Sequence, residues 1–268
     1  PLQEYRIKTS DYLLAKAQDL MNIDKKQAYR DAYEELAYIE SINPNYKNVR
    51  SLMDESAFKG TNYVLVSFEN PSNMLVPRGF KEQLEELPVN KLNRKWTVFD
   101  LHPRMDFRYD FTLDVNLSHI DVSPDEYYVE RTRFEKQIKD GYTSLKDQDG
   151  NNVKDSLGNT IQVERLVAVR CDYTEHHQFK SIHMGAFTRL NYLENRQEIN
   201  SFSTESEIFF ENVYATVRGD RRALENTHLG YLNNRAVPFP TNEQMLYDAT
   251  EQLKDRLIGQ IRNLRGFN

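Results

Sequence analysis

Three of the six histidines fall close together, at His176, His177 and His183. Imidazole is both a common metal ligand and the usual acid–base group near neutral pH, so this is the first place to look for chemistry. On an extended strand, His177 and His183 share a face with Cys171, Tyr173 and Glu175, because alternate side chains point the same way. A zinc ion needs three or four such donors at about 2.0–2.3 Å. Six residues of strand separate side chains by about 20 Å, so only a bend near Gln178 would gather them. Without that bend these are polar strand or turn residues, and the sequence assigns no metal site. The run Asp147-Gln148-Asp149-Gly150-Asn151 invites a calcium reading but fails on spacing. Counted from Asp147, Gly150 is fourth and Gly158 twelfth, where an EF-hand loop has glycine sixth and glutamate twelfth.

No Gly-x-Gly-x-x-Gly, phosphate-loop, Gly-x-Ser-x-Gly or His-Glu-x-x-His pattern occurs, which removes common nucleotide, serine-hydrolase and zinc-protease signatures. No catalytic residue and no cofactor is assigned. The carboxylates Asp106, Asp110 and Asp114 read as a solvated strand face. The most distinctive segment is Gly219-Asp220-Arg221-Arg222-Ala223-Leu224. Arg221 and Arg222 with Asp220 are the candidate binding residues, since a guanidinium grips carboxylate or phosphate through two parallel hydrogen bonds. The competing and preferred structural reading makes Asp220 the cap of a short helix over 221–224. The aromatic pairs Tyr127-Tyr128 and Phe209-Phe210, with the lone Trp96, read as packing residues.

These side chains need a scaffold. From Asp11 to about Gly60 apolar residues recur at helical spacing, through Leu13, Leu14, Ala17, Leu20 and Met21, then Ala28, Ala32, Leu36, Ile39 and Ile42. A third helix is expected over about 46–59, ending at Gly60. At Thr61 the period becomes extended, and the domain boundary is placed there; the run Asn62 to Glu69 follows and is closed by Asn70 and Pro71. A short helix near 79–87 and a strand at Trp96 to Leu101 suggest a parallel βαβ unit. Tyr109 to Val122 alternates through Phe111, Leu113, Val115, Leu117 and Ile120. Residues from about 139 to 161 carry a repeat of Asp149-Gly150-Asn151-Asn152-Val153 against Leu157-Gly158-Asn159-Thr160-Ile161, read as two tight turns in an exposed hairpin. Extended runs follow at 162–173, 181–193 and 198–215 as an antiparallel meander. The chain then reads as irregular to Pro238. A capping box at Thr241 and Gln244 opens a final helix with Met245, Leu246, Ala249, Leu253, Leu257, Ile261 and Leu264 on one stripe. The expected fold is α+β: a helical module over 1–60, then a domain over 61–268 with a mixed sheet, a long meander and a packed C-terminal helix.

Composition sets outer bounds. Hydrophobic residues make up 39% and charged residues 28%, a polar balance, yet 16 Tyr and 14 Phe supply a core. A net charge of −6 with a pI near 5.6 argues against general affinity for nucleic acid or anionic membrane. One cysteine, Cys171, excludes an internal disulfide and fits cytosol or periplasm equally. The sequence starts at Pro1, which leaves room for a removed leader.

The segment Ala28 to Gly60 resembles one tetratricopeptide-type repeat of 33 residues, preceded by a helix. The element order over about 61–265 resembles the α/β domain of envelope lipoproteins of the curli-secretion and penicillin-binding-protein-activator type. The wording from Phe210-Glu211-Asn212 through Gly219 to Leu224 and on to Val237-Pro238-Phe239-Pro240 resembles uncharacterised lipoproteins of Bacteroidota. The sequence departs from this pattern in showing no lipobox cysteine and no pore-forming apolar hairpin. The resemblance implies a periplasm-facing or cell-surface protein, associated with the outer membrane through a lipid anchor ahead of Pro1. Its expected role is that of a non-enzymatic adaptor or assembly factor, with other envelope proteins or a multi-subunit outer-membrane assembly as partners. The alternative is a small-ligand-binding protein or hydrolase with a pocket between helical module and sheet, where His102, His119 or the His176–His183 group would act. A third possibility is a structural subunit of a larger assembly.

Overall fold

The computed structural model describes residues 2–69, 80–105 and 107–265. Asn70, Pro71, Gly79 and Asp106, all drawn on above, lie outside the described residues. The chain forms two compact units: residues 1–120, 183–207 and 247–268 in the first, 121–182 and 208–246 in the second.

In the first unit the helical periodicity becomes three helices, α1 (Leu2–Met21), α2 (Lys26–Ile42) and α3 (Val49–Gly60). Helix α1 starts nine residues ahead of the expected Asp11, because the polar first turns continue a helix whose apolar stripe begins later. Leu14 and Ala17 of α1 meet Ala32, Leu36 and Ile39 of α2 and Val49 of α3 in a closed core. A lone helical hairpin cannot bury its own apolar face; here α1 covers it.

Strand β1 (Asn62–Glu69) pairs in parallel with both β2 (Thr97–Asp100) and β3 (Phe111–Val122). The short helix α4 (Phe80–Glu85) lies between β1 and β2 in sequence, so the strand–helix–strand order is as the spacing predicted. Val64 and Val66 of β1 and Leu113, Val115 and Leu117 of β3 are buried, which is the inward half of the alternation.

The second unit contains strand β4 (Glu126–Ser144), which the sequence reading did not assign. It pairs antiparallel with β5 (Gln162–Tyr192), a single strand of 31 residues where two shorter runs were expected. No bend interrupts it at Gln178. The third long strand, β6 (Gln197–Gly219), also pairs with β5, and β5 and β6 each contribute a segment to both units. The insertion after β4 folds as two consecutive tight turns, closed by the bridges Lys146–Asn152 and Lys154–Thr160, with Gly150 and Gly158 at φ of 85° and 86°. Positive φ is what glycine supplies without steric cost.

The short helix expected over 221–224 forms as a 3₁₀ turn at Arg221–Ala223, and the stretch beyond it, expected to be irregular, holds the short helix α5 (Asn226–Tyr231). The last helix, α6 (Asn242–Asn263), opens with the predicted reciprocal cap: Gln244 N–H donates to Thr241 Oγ1 and Thr241 N–H to Gln244 Oε1. In the first unit its residues Ala249, Leu253, Leu257 and Ile261 are fully buried, and Ser206 of β6 donates to the Ala249 carbonyl at 2.7 Å. Arg94 closes the other end by donating to the carbonyls of Ile261, Arg262 and Leu264. The result is an α+β protein with leading helices, a mixed sheet and a packed C-terminal helix. Among the described residues no helix is long and apolar enough to cross a membrane.

Candidate functional site

Inside the first unit, an open cleft of about 870 Å³ lies between the helical front end and the sheet. Four stretches of backbone position its walls. Asp24, at φ 53°, turns the chain into α2 and brings Lys26 and Tyr29 inward. Lys59 sits at the last turn of α3, and the segment Phe107 to Asp110 leads into β3. Tyr192 is the last residue of β5, and Leu193 and Glu194 belong to the turn joining it to β6.

The cleft's carboxylates are each engaged. Asp110 accepts the backbone N–H of Tyr63 at 2.8 Å and pairs with Lys26 Nζ at 3.0 Å, while Lys26 also donates to the Thr61 carbonyl. The Tyr29 hydroxyl donates to Asp24 at 2.7 Å and the Tyr192 hydroxyl to Glu194 at 2.6 Å. Burial, then the Asp24 carboxylate, push the Tyr29 hydroxyl above its ordinary pKa of 10.0. Tyr192 is raised chiefly by its hydrogen bond to Glu194. Lys59 is held protonated well above its usual range by Glu55 and then by Tyr29. Aromatic edges complete the wall: Phe107 meets Tyr109 at 5.1 Å and Tyr63 at 4.6 Å, and the Arg104 guanidinium lies 3.8 Å from the Phe107 ring centre. Rings and paired charges of this kind suit contact with a polar surface or ligand. Among the described residues no histidine lines this cleft.

The histidines have other settings. In the second unit His176 stacks on Tyr214 at 4.5 Å and bonds the Tyr127 hydroxyl. His177 stacks on Tyr128 at 4.4 Å and pairs with Glu175 at 2.9 Å. Glu175 also accepts from Tyr173, whose hydroxyl is pushed far above its usual range, first by burial and then by that bond. Cys171 is buried in a separate apolar cluster with Val169, Ala215 and Leu224. His102 is exposed. In the first unit His119 and His183 approach one another beside Glu205, a convergence that the spacing did not suggest.

Asp220 caps the turn that follows it, accepting the Arg222 N–H at 2.9 Å. Arg222 folds back on Asp220 at 2.7 Å and reaches Asp140 at 3.3 Å, which holds the Asp220 carboxyl below its ordinary range. Arg221 lies in the same turn. Asp110 and Asp114 belong to networks tying strands together: Asp114 accepts from Ser67 at 2.7 Å and Asn191 at 2.8 Å. The distinctive segment near Val237 is fastened by Gln178, which donates to the Val237 carbonyl and accepts its N–H, while Asn212 holds the Arg235 carbonyl.

Helices and strands are thus segregated along the chain in the manner of the α+β class. No protein-family model matches the sequence, and no curated protein does. Among solved structures, the chain is similar to a neuraminyllactose-binding hemagglutinin homolog from Helicobacter pylori, at 10% identity over 75% of this chain and 83% of that one, with a TM-score of 0.32. A likeness at that score carries no argument about fold or function.

Proposed function

We propose that this chain is a non-enzymatic cell-envelope adaptor or assembly factor that works through protein contacts made by its helical front end. One observation carries the reading. Tyr5 and Tyr12, seven residues and so two turns apart on α1, point away from the helical core and are 72% and 70% exposed. Helical repeats grow by stacking the next helix on such a face, and tyrosine offers large contact area at low entropic cost. The engagement of each carboxylate that lines the cleft among the described residues with a hydroxyl, ammonium or backbone N–H also favours binding over proton transfer. The envelope setting rests on the sequence resemblance of residues 210–240.

A photoreactive phenylalanine analogue placed at position 12 in the native organism should crosslink one envelope protein, with the same analogue at exposed Phe209 as the control. That partner, purified, should bind the Tyr5→Ser/Tyr12→Ser double variant at least ten times more weakly than the wild type, a loss of about 1.4 kcal/mol or more. Equal binding by the variant, or equal crosslinking from both positions, removes the proposal. A second reading, a small polar ligand in the cleft, draws on its volume, which lies within the roughly 300–1,000 Å³ usual for such sites. It predicts ligand-dependent thermal stabilisation that Lys59→Ala and Tyr192→Ala abolish and the α1 double variant leaves intact.

A further inference from the structure

We infer that His119, His183 and Glu205 form a binding site for one Zn²⁺-class divalent ion, held across three strands of the first unit. His119 lies on β3, His183 on β5 and Glu205 on β6. Glu205 Oε2 is 3.3 Å from His119 Nε2 and 3.3 Å from His183 Nε2. With metal–donor bonds of about 2.0–2.2 Å, tetrahedral angles put neighbouring donors about 3.3–3.6 Å apart. Both carboxylate–imidazole edges fall at the short end of the range that a bound ion sets. The two rings, with centroids 4.6 Å apart, offer donor atoms within 4.8 Å of each other.

Two further observations point to an occupant. His119 Nε2 is closed off from solvent and makes no hydrogen bond among the described residues, although the Glu205 oxygen is at ion-pair distance. Its other nitrogen, Nδ1, meets Ser118 Oγ at 3.1 Å. Where Nδ1–H donates to that hydroxyl, the Nε2 lone pair is directed into the space shared with the Glu205 carboxylate, and a cation placed there satisfies both groups. A metal-bound histidine whose second nitrogen is oriented by a polar neighbour is the usual arrangement.

The second observation is Gly185, two residues along β5 from His183. A Cβ there would come within 2.4 Å of His119 Cε1, 2.6 Å of Ser118 Oγ and 2.7 Å of Glu205 Oε2. Its φ is not positive, so space and not backbone conformation calls for glycine. Glycine weakens a strand interior and commonly marks a place where another group must approach closely; here the groups are a ligand ring and a ligand carboxylate. Two imidazoles with one carboxylate suit zinc and its neighbours better than calcium or magnesium. Three protein ligands on a half-exposed face leave the fourth position to water or an incoming group.

The test is calorimetric titration of the full chain, stripped with chelator, with Zn²⁺, and in parallel with Co²⁺ followed by visible absorption. Expected are one ion per chain and the intense visible bands of four-coordinate Co²⁺. His183→Ala and Glu205→Gln should each weaken binding at least tenfold, and Gly185→Ala should do so with all three ligands still present. His183 is half exposed, so its removal leaves the core intact, and far-ultraviolet circular dichroism checks every variant. His176→Ala, in the other unit, should bind as wild type. Absence of binding at micromolar Zn²⁺ overturns the site. So does unchanged affinity in His183→Ala and Glu205→Gln.

Discussion

Replacing Asp110 with alanine should cost the first unit about 2–3 kcal/mol, and the size follows from what the carboxylate holds. Its side chain is 21% exposed, accepts the Tyr63 N–H where β1 begins, and faces Lys26 at the start of α2. Losing the acceptor strands a backbone donor, at about 1–3 kcal/mol. The charge pair adds little, because Lys26 is 36% exposed and water replaces much of what it loses. For a chain of this size a loss of about 2–3 kcal/mol lowers the melting temperature by about 4–12 °C. Asp110→Asn keeps an oxygen for Tyr63 and removes only the charge, so it should recover at least half of the loss. Thermal and urea unfolding followed by circular dichroism measure both variants. A melting temperature for Asp110→Ala within about 1 °C of wild type, or an asparagine variant as unstable as the alanine one, would refute the assignment of the main contribution to the Tyr63 bond.

Two further outcomes are expected. Cys171 is buried in its apolar cluster, where burial pushes its thiol above its ordinary range and disfavours the thiolate; the native chain should react with a disulfide reagent on the order of 100-fold more slowly than the unfolded chain, and comparable rates would contradict that burial. Asp155 accepts the N–H groups of Leu157 and Asn159, which lowers its pKa below the ordinary 3.8, with Asn159 the largest cause. A depressed carboxyl stabilises its turn above pH 3.8 and loses that contribution as pH falls through the lower folded value. Amide shifts of Leu157 and Asn159 should therefore titrate together with a midpoint below 3.8, and a midpoint at or above it would show that the turn does not depend on the ionised carboxylate.

What was readable in the chain was whatever burial writes at a regular period. The stripes of α2 and α6 and the inward residues of β1 and β3 are apolar because each element has one covered side. Strand β4 has almost no covered side: from Glu126 to Arg133 every residue is exposed, so no alternation existed to find. Charge complementarity with β5 supports it instead, with Arg133 opposite Asp172 and Glu135 opposite Arg170, pairs that become visible only when the register is known. The continuity of β5 was hidden for the opposite reason. Gln178 and Lys180 are polar, read as an interruption, and yet buried, because they bond the carbonyls of Val237 and Pro240.

The same logic explains why the histidine group pointed to the wrong neighbours. Sequence proximity joined His183 to His176 and His177, whereas an uninterrupted β5 carries these residues progressively apart and hands each to whatever strand lies beside it. Two traces of the actual convergence were present all the same. The inward alternation of β3 runs through Leu117 and then resumes at Ile120 in the sequence, a skipped step that falls on Ser118 and His119. The burial pattern loses its alternation at that point, and both side chains reach the space beside Gly185. Such a break re-aims a side chain to the other face of a sheet. The second trace is Gly185 itself, a residue without strand propensity in the middle of a strand. Neither signal names Glu205, which arrives from β6, about twenty residues beyond the β5 segment it completes. A site assembled across three strands is specified by pairing and register, and its members acquire a common meaning only once the strands are laid side by side.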